Sequence, residues 1–87
     1  MVNENYLAPG GREYTITAGS LAKLNKDSKI LDIACGRGIA SINLVKEFGC
    51  QAVAVDLLKE MIDDGKKIAQ KEKIEDKITF IADDFNK

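Results

Sequence analysis

The chain has 87 residues, enough for one small domain. Its 13 Lys and Arg residues nearly balance 14 Asp and Glu residues, and the net charge of −1 does not indicate a nucleic-acid partner. The absence of histidine excludes His-based acid–base chemistry, and with Cys35 and Cys50 far apart no metal site is predicted. No apolar run resembles a signal peptide or membrane span, so we expect free thiols and a cytoplasmic location.

The first part of the chain predicts an arm followed by one short helix. Residues 1–14 are expected to form a loosely held arm. The Pro-Gly-Gly run at 9–11 indicates a turn within it. Thr15 or Thr17 is placed to cap a helix that ends near Leu24.

Three apolar runs predict β-strands, and two amphipathic segments between them predict helices. The predicted strands are 29–34, 52–55 and 78–82, and the predicted helices are 39–48 and 58–72. Gly49 is placed to end the first of these helices, because glycine adopts the left-handed conformation found just beyond helix ends. Gly65 lies inside the second helix, at a cost of roughly 1 kcal/mol relative to alanine.

The order of these elements predicts an α/β fold. An N-terminal helix precedes a β-α-β-α-β unit, and right-handed crossovers make its strands parallel. With helices on both faces, this would be a Rossmann-like doubly wound sheet truncated to about three strands. We expect residues 1–87 to form a single partial domain, whose α/β core spans residues 15–87.

Carboxylates follow each predicted strand. Asp32 lies near the end of the first strand, Asp56 ends the second, and Asp83 and Asp84 follow the third. An isolated acid at such a position is usually a helix cap. Ligands of parallel sheets, however, bind beyond the carboxyl ends of the strands, so acids at all these ends predict a binding site.

The ligand is suggested by the glycine turn, which we define as residues 35–38, Cys-Gly-Arg-Gly. Asp56 follows the last glycine by 18 residues, near the spacing at which an acid binds ribose hydroxyls. A dinucleotide site needs a third glycine, where this chain has Ser41, and the Asp32 carboxylate would repel a pyrophosphate. The same carboxylate would favour a ligand that carries a cation. A ribose combined with a cationic group indicates S-adenosylmethionine.

Three segments resemble, in order, the motifs of class I S-adenosylmethionine-dependent methyltransferases. They are ILDIACGRG at 30–38, AVAVDLLKEM at 52–61 and ITFIADDF at 78–85. The resemblance implies the N-terminal, cofactor-binding half of an enzyme that transfers a methyl group to an acceptor that the sequence does not identify. The isolated chain is expected to be inactive, since family members continue with a fourth strand and further elements. Two alternatives stay open: a non-catalytic nucleoside-cofactor-binding module, and an NAD-type dinucleotide-binding domain.

The resemblance also implies a set of cofactor-binding residues. They are Asp32, Ala34, Gly36, Gly38, Asp56, Leu57, Asp83, Asp84 and Phe85. The first four, three of them through backbone atoms, would line the methionine part of the cofactor. The next two would bind the ribose hydroxyls and pack on the adenine. The last three would contact the adenine amino group and ring, and either Asp83 or Asp84 can be the acid that accepts from that amino group.

Two positions depart from the family's pattern, and two residues of the glycine turn are expected to have no catalytic role. The family often has glycine in place of Ala34, and it often has a serine or threonine helix cap in place of Leu58, whose loss costs about 1 kcal/mol. Cys35 is expected to be a small filler, because no evident base could activate its thiol. Arg37 is expected to be solvated or paired with an acid.

The first strand is expected to form an exposed edge of the sheet. In the family's sheet it lies between the second strand and a fourth, and no fourth strand is present in these 87 residues. Because exposed apolar edges pair with other chains, self-association through this edge is predicted.

Overall fold

The computed structural model describes the backbone of residues 4–83 and the side chains of residues 12–83. The elements are α1 Glu4–Leu21, β1 Lys29–Ile33, α2 Ile39–Phe48, β2 Gln51–Asp56, α3 Lys59–Lys71 and β3 Ile78–Ala82. From β1 onward, each predicted element is confirmed with its ends within one residue of the prediction. No helix in this described part is long and apolar enough to cross a membrane.

The N-terminal helix is where the prediction was wrong. The Pro-Gly-Gly run at 9–11 lies within α1, as do Thr15 and Thr17, and the helix ends at Leu21. Near its end α1 packs closely on α2, since a Cβ added to Gly19 would lie 2.4 Å from the Phe48 ring. Tertiary packing of one helix face stabilises helices more than propensity does. The Pro-Gly-Gly run therefore did not produce the turn that its local propensity predicts.

All three strands are parallel, in the order β1-β2-β3. Asp32 is in register with Ala54, which is in register with Phe80. Asp56 is in register with Ala82 on β3. The three strands therefore end at the same edge of the sheet, as the parallel arrangement predicts.

The core lies on one face of this sheet. Its buried apolar residues are Ile42, Val45, Cys50, Ala52, Ala69, Ile74 and Ile78. Ile30 and Phe80 pack against them, so alternate positions of all three strands face α2 and α3. Gly49 ends α2 in the left-handed conformation, with φ of 69°, as predicted. The Rossmann-like parallel sheet is thus confirmed, with the described helices on one side.

The opposite face of the sheet carries exposed apolar side chains, and we call it the open face. Leu31 is 65% exposed and Ile33 is 49% exposed on β1, and Ile81 is 40% exposed on β3. Between them, Val53 is half-buried and Val55 is buried on β2. Within residues 4–83, β1 is also an edge strand, paired on one side only.

Candidate functional site

The acids predicted at the strand ends meet at one edge of the sheet. Asp32 is half-buried on β1, and Asp56 is half-buried at the end of β2. Asp83 is exposed just beyond β3, and its backbone N–H donates to the carbonyl of Asp56 at 3.0 Å. The predicted positions Asp84 and Phe85 lie outside the described residues.

Both glycines of the turn, and the residue before the turn, adopt left-handed backbone conformations. Ala34 has φ of 61°, Gly36 of 61° and Gly38 of 74°. A Cβ added to Gly38 would lie 2.8 Å from the Phe80 ring, so the turn needs glycine there to pack on the sheet. A Cβ added to Gly36 would meet no atom within 4 Å. The Gly36 side of the turn is therefore open to a ligand.

Three backbone N–H groups of the turn are used within the protein. Cys35 donates to the Val55 carbonyl at 3.0 Å, and Gly38 donates to the Cys35 carbonyl at 3.0 Å. Gly36 donates to Oδ2 of Asp56 at 2.8 Å. A phosphate-binding turn needs such donors free, so this arrangement does not favour a pyrophosphate.

Asp56 connects the glycine turn to the start of α3. Besides the bond from Gly36, its Oδ1 accepts the backbone N–H of Leu58 at 3.0 Å. The hydrogen bonds from Leu58 and Gly36 hold the pKa of Asp56 below its usual value. A charged carboxylate has about four acceptor positions, so Asp56 keeps capacity to accept from other donors, such as hydroxyls. Leu57, beside it, is 51% exposed and offers an apolar surface.

Asp32 has a partner that the sequence analysis missed. The hydroxyl of Ser41 donates to Oδ2 of Asp32 at 2.7 Å, and Ser41 is only 1% exposed. The sequence identifies Ser41 only as the residue that stands in place of a third glycine. The available signal was a hydroxyl residue in the first turn of α2, directly before the apolar position Ile42 that faces the sheet.

Cys35 and Arg37 are placed as the sequence predicts. The Cys35 thiol is half-buried and donates to the carbonyl of Gly36 at 3.3 Å. Burial, with the nearby charges of Asp32 and Asp56, raises the pKa of Cys35 to about 11, so the thiol is protonated at neutral pH. The exposed Arg37 lies 3.7 Å from Asp64, which confirms pairing with an acid.

Two positions, one at the start of α3 and one inside it, bear on predictions made from the sequence. Leu58 is the N-cap residue, and no side-chain hydrogen bond caps the helix, which confirms the predicted loss of a cap. A Cβ added to Gly65 would lie 2.4 Å from the backbone carbonyl oxygen of Arg37 and 2.6 Å from Phe80. Gly65 thus lets α3 approach the glycine turn closely. Helix propensity, which assigns this glycine only a cost, does not predict this role.

This site coincides with a family match. The sequence model of the methyltransferase domain family matches residues 30–87, from β1 through all three strand ends. The chain belongs to the methyltransferase domain family. Within this methyltransferase domain, the matched region contains the glycine turn and every predicted cofactor-binding residue.

Several proteins are similar to this methyltransferase domain. Phosphoethanolamine N-methyltransferase of Plasmodium falciparum is 32% identical over 60 residues, which cover 69% of the chain and 23% of that protein. The MccD protein structure has 30% identity and a TM-score of 0.78, over 87% of this chain and 33% of its own. An RNA methyltransferase from Salinibacter ruber, solved with S-adenosyl-L-homocysteine, shares the fold at 18% identity and a TM-score of 0.79, over 83% of this chain and 47% of its own. The chain spans less than a quarter of the curated relatives it matches.

Proposed function

We propose that this chain is the cofactor-binding portion of an S-adenosylmethionine-dependent methyltransferase. The observation that carries the proposal is the 2.8 Å hydrogen bond from Gly36 to Asp56, which joins the turn to the acid proposed to bind ribose. The family match and the S-adenosyl-L-homocysteine complex of the Salinibacter ruber structure support the choice of cofactor. The methyl acceptor is left open.

The described residues fit this cofactor by charge and by shape. The ammonium and sulfonium groups are cations, and the site offers the carboxylate of Asp32 beside a turn whose N–H donors are largely used. The open side of Gly36 leaves space for the methionine part, which we assign to Asp32 and the backbone of Ala34, Gly36 and Gly38. The free acceptor positions of Asp56 suit the two ribose hydroxyls.

The adenine is assigned to the exposed side chains at the ends of β2 and β3. Leu57 offers an apolar surface of the kind that stacks on a purine. Asp83 or Asp84 is proposed to accept from the adenine amino group, with the backbone of Phe85 at the ring. Of these, Asp83 is exposed at the same sheet edge as Asp56, to which its backbone is hydrogen-bonded.

When bound, the cofactor would supply a methyl group on a sulfonium sulfur, whose departure as a neutral thioether makes it a good leaving group. The residues described here bind and orient it, and positioning is the main source of catalysis in such a displacement. The thiol of Cys35, within the turn, keeps its proton at neutral pH and is not suited to act as a base. We therefore propose that the isolated chain binds the cofactor without turnover, as a non-catalytic module would. The NAD-type alternative is disfavoured by Ser41 and by the occupied N–H groups of the turn.

The test is a calorimetric titration of the chain with S-adenosylmethionine, with NAD titrated in parallel. We expect saturable binding of the first ligand and none of NAD. Asp56→Ala should weaken binding by at least about tenfold, the effect of losing a pair of hydrogen bonds to a charged group. Asp76→Ala is the matched control, because Asp76 is an exposed aspartate in the loop before β3. Tighter binding of NAD, or equal binding by both variants, would contradict the proposal.

We further propose that the chain is one partial domain that self-associates through β1. The edge of β1 and its side chains Leu31 and Ile33, 65% and 49% exposed, support this. The free state of both cysteines fits a reducing compartment, and we propose the cytoplasm.

A further inference from the structure

The hydrogen bond between Ser41 and Asp32 has a donor that is fully enclosed by the protein. Ser41 lies in the first turn of α2, is 1% exposed, and donates to Asp32 Oδ2 at 2.7 Å. A buried hydroxyl needs a partner, and here the partner is a carboxylate at the ligand-binding edge of the sheet. The other oxygen, Oδ1, makes no hydrogen bond within the described part of the chain.

We propose that Ser41 is a positioning residue, which orients the Asp32 carboxylate toward the ammonium group of the cofactor's methionine part. The inference rests on the proposed function. A short O–H···O⁻ bond is charge-assisted and strong, so it restricts rotation of the carboxylate. An acceptor fixed in advance binds its cation with a smaller ordering cost than a freely rotating one.

The hydrogen-bonded pair of Ser41 and Asp32 also accounts for which charged groups the glycine turn accepts. Ser41 stands where a dinucleotide-binding fingerprint has its third glycine, and its hydroxyl keeps a negative group beside the turn. A pyrophosphate is repelled by that group, whereas an ammonium is attracted. Because Asp56 and Leu57 lie on a different strand end, the effect of Ser41 should be limited to ligands that carry the amino-acid part.

The experiment compares two ligands that differ in this part. S-adenosylhomocysteine carries the ammonium and carboxylate, and 5′-methylthioadenosine has the same nucleoside and thioether without them. Ser41→Ala should raise the dissociation constant of S-adenosylhomocysteine roughly tenfold, the effect of losing one charge-assisted hydrogen bond. The dissociation constant of methylthioadenosine should change by less than about twofold. Ser41→Thr keeps the hydroxyl and should restore most of the affinity. Ser28→Ala, at the opposite end of β1, is the control and should change neither constant.

Coupling to Asp32 separates positioning from a merely structural role. In an Asp32→Asn background, Ser41→Ala should cause little further loss of S-adenosylhomocysteine affinity. Equal weakening of both ligands by Ser41→Ala, or no weakening of either, would overturn the role of Ser41 while leaving the proposed cofactor intact. A wild-type chain that binds neither ligand would overturn both proposals.

Discussion

At the scale of single residues, Asp56 is the carboxylate of the candidate site that connects the most elements. It accepts backbone N–H groups from Gly36 at 2.8 Å and from Leu58 at 3.0 Å, so it links β2 to two neighbouring loops. Both bonds are made to the charged form. The side chain proposed to bind ribose therefore also stabilises the glycine turn, which we propose to receive the rest of the ligand, and this stabilisation depends on pH.

We expect the free energy of unfolding to decrease as the pH falls below about 4. The pKa of Asp56 is lowered from 3.8 by its bonds with Leu58 and Gly36, so its stabilisation is complete above the unfolded value and is lost as the pH falls through the folded one. Asp63 and Glu72, paired with Lys59 and Lys46, have lowered pKa values and act in the same direction.

Urea unfolding of wild type and Asp56→Asn between pH 7 and pH 2 measures this effect. The variant should be less stable than wild type at pH 7 and should lose less stability on acidification. Parallel curves for the two proteins would show that Asp56 does not contribute to the pH dependence.

Ala34→Gly is predicted to stabilise the chain by about 1 kcal/mol. Ala34 has φ of 61°, a left-handed conformation that costs a residue with a Cβ about 1–2 kcal/mol, and glycine avoids this at a smaller entropic cost. Thermal unfolding measures the change. The control is Ala18→Gly, an exposed position inside α1, which should destabilise by about 1 kcal/mol. Destabilisation by both substitutions would contradict the assigned backbone conformation of Ala34.

At the scale of secondary-structure elements, the distance between α3 and the glycine turn decides how the site is built. Gly65 brings the helix so close that a methyl group would lie 2.4 Å from the carbonyl oxygen of Arg37. On the same face of the sheet, Gly38 allows close contact between the turn and Phe80, whose ring would lie 2.8 Å from an added Cβ. Two glycines on different elements thus hold the turn against the sheet.

Gly65→Ala is predicted to destabilise the chain by roughly 1–3 kcal/mol, the range typical of overpacking. Helix propensity alone would predict stabilisation of about 1 kcal/mol, so the sign of the change distinguishes the two effects. Urea unfolding gives the sign, and Lys67→Ala, at an exposed position of the same helix, is the control for a harmless substitution. A more stable Gly65→Ala protein would show that the turn moves away without cost.

At the scale of the whole molecule, the sheet is covered unequally. The described helices pack on one face, while Leu31, Ile33 and Ile81 are exposed on the other. An apolar face beside a free strand edge favours association with another polypeptide. This is the physical basis of the proposed self-association.

Sedimentation velocity is expected to show association that increases with concentration. Leu31→Lys should shift the chain toward the monomer, because it places a charge on the edge strand β1 within the open face. Leu21→Lys is the matched control, since Leu21 is 80% exposed at the end of α1, outside the sheet. Equal association of the two variants, or a wild-type chain that is monomeric at high concentration, would contradict an interface on this face.

The sequence by itself determined the elements from β1 onward, the parallel arrangement of the strands and the edge where the acids lie. These follow from local periodicity, from the conformational freedom of glycine and from the rule that parallel strands end together. Only the tertiary structure decided that the strands lie in the order β1-β2-β3, that α1 continues through residues 9–11, that Ser41 holds Asp32 and that Gly65 packs too closely for a larger residue. Each of these depends on atoms from separate elements meeting at a particular distance, and the spacing of residues along the chain does not encode such distances.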